Sequence, residues 1–99
     1  SPELRKKAPD FYLNLLWTRS QLCAPGAELD LVLNEGVQRL IASGFEVDYL
    51  VPVDPESLAV TAERGPSRLM GAVRLGPVRL LDNIPLWPDY SFSDNFPIT

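Results

Sequence analysis

The side chains able to do chemistry are few in this 99-residue chain, and most are acidic. Glu46 and Asp48 lie two residues apart in a stretch of alternating character, so they share one face of a strand. Paired carboxylates divide acid and base roles only when their environments separate their pKa values. The solvent-side position of Glu46 and Asp48 favours plain surface charge instead. Asp82 is turned inward by alternation, opposite Gly71. A buried carboxylate must find donors, so structural hydrogen bonding to backbone amides is the favoured role for Asp82 over catalysis. Cys23 sits near a helix end, with no cation or base placed to lower its pKa. Arg74 and Arg79 face each other across a hairpin and need a counter-charge. Glu46 and Asp48 can supply it if their strand pairs beside that hairpin; the sharper alternative is an anion met by both arginines.

The missing residue types exclude more. There is no His and one Cys, so neither a Cys/His zinc site nor a Ser-His-Asp or Cys-His catalytic set can be built from this chain. We expect no catalytic residue and no metal ligand here. The formal charge of −4 argues against nucleic acid and anionic membranes as main partners. No apolar run approaches the ~18–20 residues of a membrane span, and no charged segment followed by an apolar one marks a signal peptide. A lone Cys fits a reducing, cytoplasmic setting. The start at Ser1 rather than Met suggests a fragment or a processed product. Gly65-Pro66 and Gly76-Pro77 do not open a helix after a strand, as phosphate loops do.

The elements that must position these groups follow from periodicity. Ser1-Pro2-Glu3 reads as a helix start. Leu4, Ala8, Tyr12, Leu15, Leu16, Arg19 and Leu22 recur at helical spacing, with a kink expected near Ala8-Pro9. Phe11, Tyr12 and Trp17 are core or interface aromatics. Ala24-Pro25-Gly26 breaks this helix. A second runs from about Glu28 to Ala42 on a stripe of Leu29, Val32, Leu33, Val37, Leu40 and Ile41, with Gly36 allowing a close neighbour and Gly44 as the stop. Phe45, Val47, Tyr49, Val51 and Val53 then alternate with Glu46, Asp48, Leu50 and Pro52, which marks a strand, and Pro52 must lie at its end or on a sheet edge. Asp54 caps a single turn through Ser57, and residues 60–66 form a loop.

Arg68–Leu75 and Val78–Leu86 make a β-hairpin around Gly76-Pro77. Only a type II′ turn, which needs positive φ at its first central residue alone, suits that pair. Leu75 then faces Val78, Arg74 faces Arg79, Val73 faces Leu80, Gly71 faces Asp82 and Leu69 faces Ile84. The expected fold is α+β: two helices packed on a three-stranded, mainly antiparallel sheet with a C-terminal β-hairpin. Residues 1–86 form the domain. Residues 87–99 form a tail carrying Trp87, Tyr90, Phe92 and Phe96, read either as packed on its own domain or loose, or as docked on another subunit or domain.

Several stretches carry a family resemblance. Ser1-Pro2-Glu3 with Arg5, Ala8-Pro9 and Tyr12 comes first. Gly44 to Leu50 followed by Val53-Asp54-Pro55-Glu56-Ser57-Leu58 comes second. Arg68-Leu69, Ala72 to Gly76 and Arg79-Leu80-Leu81-Asp82-Asn83 come third. In this order, from Ser1 to about Leu86, they resemble the C-terminal domain of the pantothenate synthetase (pantoate–β-alanine ligase) family. The resemblance implies an enzyme condensing pantoate and β-alanine with ATP and Mg²⁺ through a pantoyl-adenylate. It implies an N-terminal Rossmann-like partner domain that bears the nucleotide motifs, and a hinged C-terminal lid that excludes water on closure.

The chain departs from the family in lacking that N-terminal domain and the Ser-Arg-Asn stretch at the domain boundary. No family catalytic residue therefore maps onto it. ATP and Mg²⁺ belong to the complete enzyme, the isolated chain is expected to be inactive, and a homodimer is left open. The rival readings are a stand-alone binding or oligomerisation module that reuses this fold, and a domain of a fused multifunctional protein.

Overall fold

The computed structural model describes residues 2–61 and 67–86. The Ser1 cap, most of the 60–66 loop with Gly65-Pro66, and the 87–99 tail lie outside the described residues. Helix α1 spans Pro2–Leu22 and α2 spans Leu29–Ala42; strands β1 (Glu46–Val53), β2 (Arg68–Leu75) and β3 (Val78–Pro85) follow. They form one antiparallel sheet in the order β1-β2-β3. The expected α+β architecture is the observed one. Helix α1 packs over β2 and β3 as well as against α2, and α2 packs over β1.

Helix α1 runs as a single α-helix from Pro2 to Leu22 with Pro9 inside it. Pro9 is on the exposed side, where the bond it forfeits, to the Arg5 carbonyl, can be replaced by water. The buried stripe is Phe11, Asn14, Leu15, Thr18 and Leu22. The aromatic that enters the core is thus Phe11, at 3% exposure, and Tyr12 stands out at 44%. Two apolar neighbours in one helical turn leave the choice of face open, and tertiary packing makes it. Ile41, placed by the sequence on the α2 stripe, is likewise 49% exposed.

Helix α2 ends as a Schellman motif. The Gly44 amide donates to the Ile41 carbonyl (2.9 Å) and the Phe45 amide to the Leu40 carbonyl (3.1 Å), with Gly44 at φ +102°. This is the glycine stop read from the sequence. Phe45 is thereby delivered into the core against Phe11, ring centroids 6.1 Å apart. The hairpin register is the expected one at every pair, and Gly76 has φ +61°, as a type II′ turn requires.

Strand β1 departs from simple alternation. A bulge between Val47 and Tyr49 sets Val47 against Val73 and Tyr49 against Ala72. The extra residue, Asp48, resets the phase. Val47 packs on the core, and beyond the bulge Leu50 and Pro52 point inward. Tyr49 and Val51 therefore line the opposite face. Pro52 lies on an edge strand, and its carbonyl accepts a bond from the Thr61 amide (3.0 Å).

Two glycines set the depth of α1. A Cβ built on Gly36 would lie 2.7 Å from Thr18 Oγ1 and 2.8 Å from Leu50 Cδ2. One on Gly71 would lie 3.0 Å from Phe11 Cε1. Thr18 Oγ1 is buried without a hydrogen-bond partner. Gly36→Ala gains about 1 kcal/mol of helix propensity, but overpacking costs about 1–3 kcal/mol. We expect a net loss of stability in denaturant titration. Adding Thr18→Ala should recover part of it, because the clashing atom and its unsatisfied hydroxyl leave together.

Candidate functional site

The polar chemistry collects on the solvent side of the sheet. The bulge at Asp48 turns its carboxylate toward the hairpin, where Oδ2 accepts from Arg79 Nε at 2.9 Å and Arg74 Nε at 3.3 Å. One carboxylate thus bridges two arginines that the register sets opposite each other, with Glu46 in turn opposite Arg74. The compensation expected from strand one is present. Both guanidinium groups remain about half exposed, at 54% and 51%, so the bridge is an open surface ion pair.

Asp82 lies opposite Gly71, as expected, but is half-buried, and its Oδ1 accepts from the amide of its own neighbour Asn83 at 2.8 Å. That is a structural backbone bond of the kind read from the sequence. Arg68 donates to Asn83 Oδ1 on the outer face. Cys23 lies half-buried just beyond α1. The carboxylates are not brought together as an acid–base pair: Asp48 serves the arginines, and Asp82 serves its own strand. Among the described residues, no group of three or more Cys, Asp or Glu is placed to hold a metal ion. No described helix is long and apolar enough to cross a membrane.

Two features escaped the sequence reading. The first is a groove of about 430 Å³ between the helices, lined by Asp10, Leu13, Asn14, Trp17, Arg39, Ala42 and Ser43. There the Arg39 guanidinium sits 4.1 Å from the Trp17 ring centroid, a cation–π contact. Only the packing angle of the two helices brings these residues together. The second is an apolar patch on the outer sheet face, from Tyr49, Val51 and Met70, with Leu58 and Val60 above them. Its signal was available: apolar residues on both phases of β1 mean that neither face is wholly polar.

The 54–59 turn forms as read. Asp54 Oδ2 accepts from the Ser57 amide (2.8 Å) and the Glu56 amide (3.2 Å), and the Asp54 carbonyl accepts from the Leu58 amide (2.8 Å). The Ser57 amide, then the Ser57 hydroxyl, hold the Asp54 carboxyl below its ordinary value.

A two-helix layer on a three-stranded antiparallel sheet defines a small α+β domain. Residues 1–85 match the family described as Pantoate-beta-alanine ligase. The chain is 41% identical over 86 residues to the pantothenate synthetase of Rhodopseudomonas palustris strain BisA53, covering 85% of this chain and 30% of that protein. It is 39% identical over 88 residues to the pantothenate synthetase of Granulibacter bethesdensis, with the same two coverages. The crystal structure of pantothenate synthetase from Thermus thermophilus superposes with a TM-score of 0.74 at 37% identity, over 89% of this chain and 32% of that one. The chain belongs to the pantoate–β-alanine ligase family, and it spans about 30% of the length of the relatives it matches.

Two outcomes test this site. Asp48→Asn should cost at most about 1 kcal/mol in a denaturant titration, since exposed ion pairs contribute little. The Asp54 cap contributes stability that is present above the ordinary carboxyl value of 3.8 and is lost as pH falls through its lowered folded value. The protection of the Ser57 amide, its exchange rate taken relative to the intrinsic rate at each pH, should therefore fall on acidification below 3.8, and Asp54→Asn should flatten that dependence.

Proposed function

We propose that this chain is the C-terminal lid domain of an ATP-dependent ligase that joins pantoate to β-alanine through a pantoyl-adenylate. The observation that carries this reading is the family match over residues 1–85, in a chain that spans about 30% of its relatives and has no His. On this reading an N-terminal Rossmann-like domain supplies the reacting groups, and this domain closes over them. An acyl-adenylate is open to hydrolysis, so a closing cover that keeps water out has a direct chemical use.

On the same reading ATP and Mg²⁺ belong to the partner domain, and no step is placed on a residue of this chain. The same family membership suggests a cytoplasmic setting.

Release of AMP from ATP, with pantoate, β-alanine and Mg²⁺, should be undetectable with this chain alone. It should appear when the same assay is run on a full-length synthetase containing this domain. Turnover that follows the 99-residue chain through successive purification steps would overturn the assignment.

A further inference from the structure

The outer face of the sheet is apolar at one end only. Tyr49, Val51 and Met70 form its floor, and Leu58 and Val60 rise beside them around a depression of about 320 Å³. Leu58 and Val60 are 56% and 68% exposed, and Leu81 on the same face is 63% exposed. Leu58 is also the described non-glycine residue at positive φ, +61°. The Asp54 turn holds it there, with its large side chain offered outward rather than folded into the core. A strained, exposed leucine above an apolar floor is a surface shaped for a cover.

The chain itself leads to this end of the sheet. Val53 pairs with Arg68, and Arg68 with Pro85, so β3 finishes level with the depression. Leu86 is fully buried and tied by its amide to the Ser67 carbonyl (2.8 Å). Residues 87–99 thus start two strand spacings from the patch, roughly 10 Å away, and that length of chain can reach roughly 40 Å. Their side chains complement the patch. Trp87, Tyr90, Phe92, Phe96 and Ile98 are apolar or aromatic. Asp89 and Asp94 are the charges, with no Lys or Arg, and the outer face carries Arg68, Arg74 and Arg79. Residues 62–66, the other segment near this end, read Ala-Glu-Arg-Gly-Pro and have no aromatic or large aliphatic group to offer.

We propose that residues 87–99 dock back over the outer face of the sheet in their own chain, placing aromatic side chains on Val51, Leu58 and Met70. The family match ends at residue 85, just before the segment that would form this cover.

Met70 is the chain's one methionine and lies on the floor of the depression, so a methyl-labelled sample gives a single reporter signal there. In the full chain its methyl should show nuclear Overhauser contacts to aromatic protons of Tyr90, Phe92 or Phe96, unchanged on tenfold dilution. The double variant Tyr90→Ser/Phe92→Ser, which leaves the described core untouched, should shift the Met70 signal while its contacts to Tyr49 persist. Leu58→Asp should weaken the same tail contacts. The proposal fails if the Met70 signal is the same in the double variant. It fails equally if, in a mixture of differently labelled chains, the contacts run only between copies, for then a second chain is the occupant.

Discussion

The depth at which α1 can sink between α2 and the sheet governs the rest of the structure. Two missing side chains fix that depth. At Gly36 the α2 backbone meets Thr18 and Leu50, and at Gly71 the β2 backbone meets the Phe11 ring and Leu15. A Cβ at either place would stand in the path of atoms that are already packed. The close approach also brings the Gly36 carbonyl to Asn14 Nδ2, which donates to it at 3.0 Å in the buried interface. The Thr18 hydroxyl, packed against the same Gly36, is buried there without a hydrogen-bond partner.

With that depth set, the ends of the elements are fastened by long side chains reaching carbonyls. Lys7 Nζ donates to the Ser43 carbonyl at 2.7 Å, tying the start of α1 to the end of α2. Arg19 Nη1 donates to the Pro85 carbonyl at 3.2 Å, tying the end of α1 to the end of β3. Each clamp uses a cation against a backbone oxygen at an element's end, where such oxygens lack partners within the element. The helix layer and the sheet are thus joined by apolar packing between them and by polar ties at their margins.

The sequence made the fold legible because its strongest signals are local. Gly76-Pro77 admits one turn type, and that turn fixes all the β2–β3 partners. Gly44 fixes the end of α2 by the same kind of local rule. What stayed hidden depends on contacts distant in sequence. The choice of Phe11 over Tyr12 belongs to packing against Gly71 and Phe45. The bulge at Asp48 has no local signal, because the residues after it are apolar on both phases, yet it decides which half of β1 faces the helices. It also brings Asp48 to Arg74 and Arg79. Sequence reasoning placed the acid and the arginines on one face without showing that a single carboxylate would serve both. The groove between Trp17 and Arg39 required the crossing of two helices, which no local pattern specifies.

That bulge also explains why the sheet has two unlike ends on its outer side. At the hairpin end, Asp48 stands as the inserted residue and the face is ionic. Past the insertion the phase flips, so Tyr49 and Val51 emerge on the side where strict alternation from Val47 would have put Leu50 and Pro52. Leu50 is sent inward instead, to the position beside Gly36 that α2 needs filled. One inserted residue therefore satisfies the core and leaves aromatic and aliphatic side chains on the open face. In a family where this domain is about 30% of the whole protein, an outer face divided into an ionic half and an apolar half can meet different neighbours without disturbing the core.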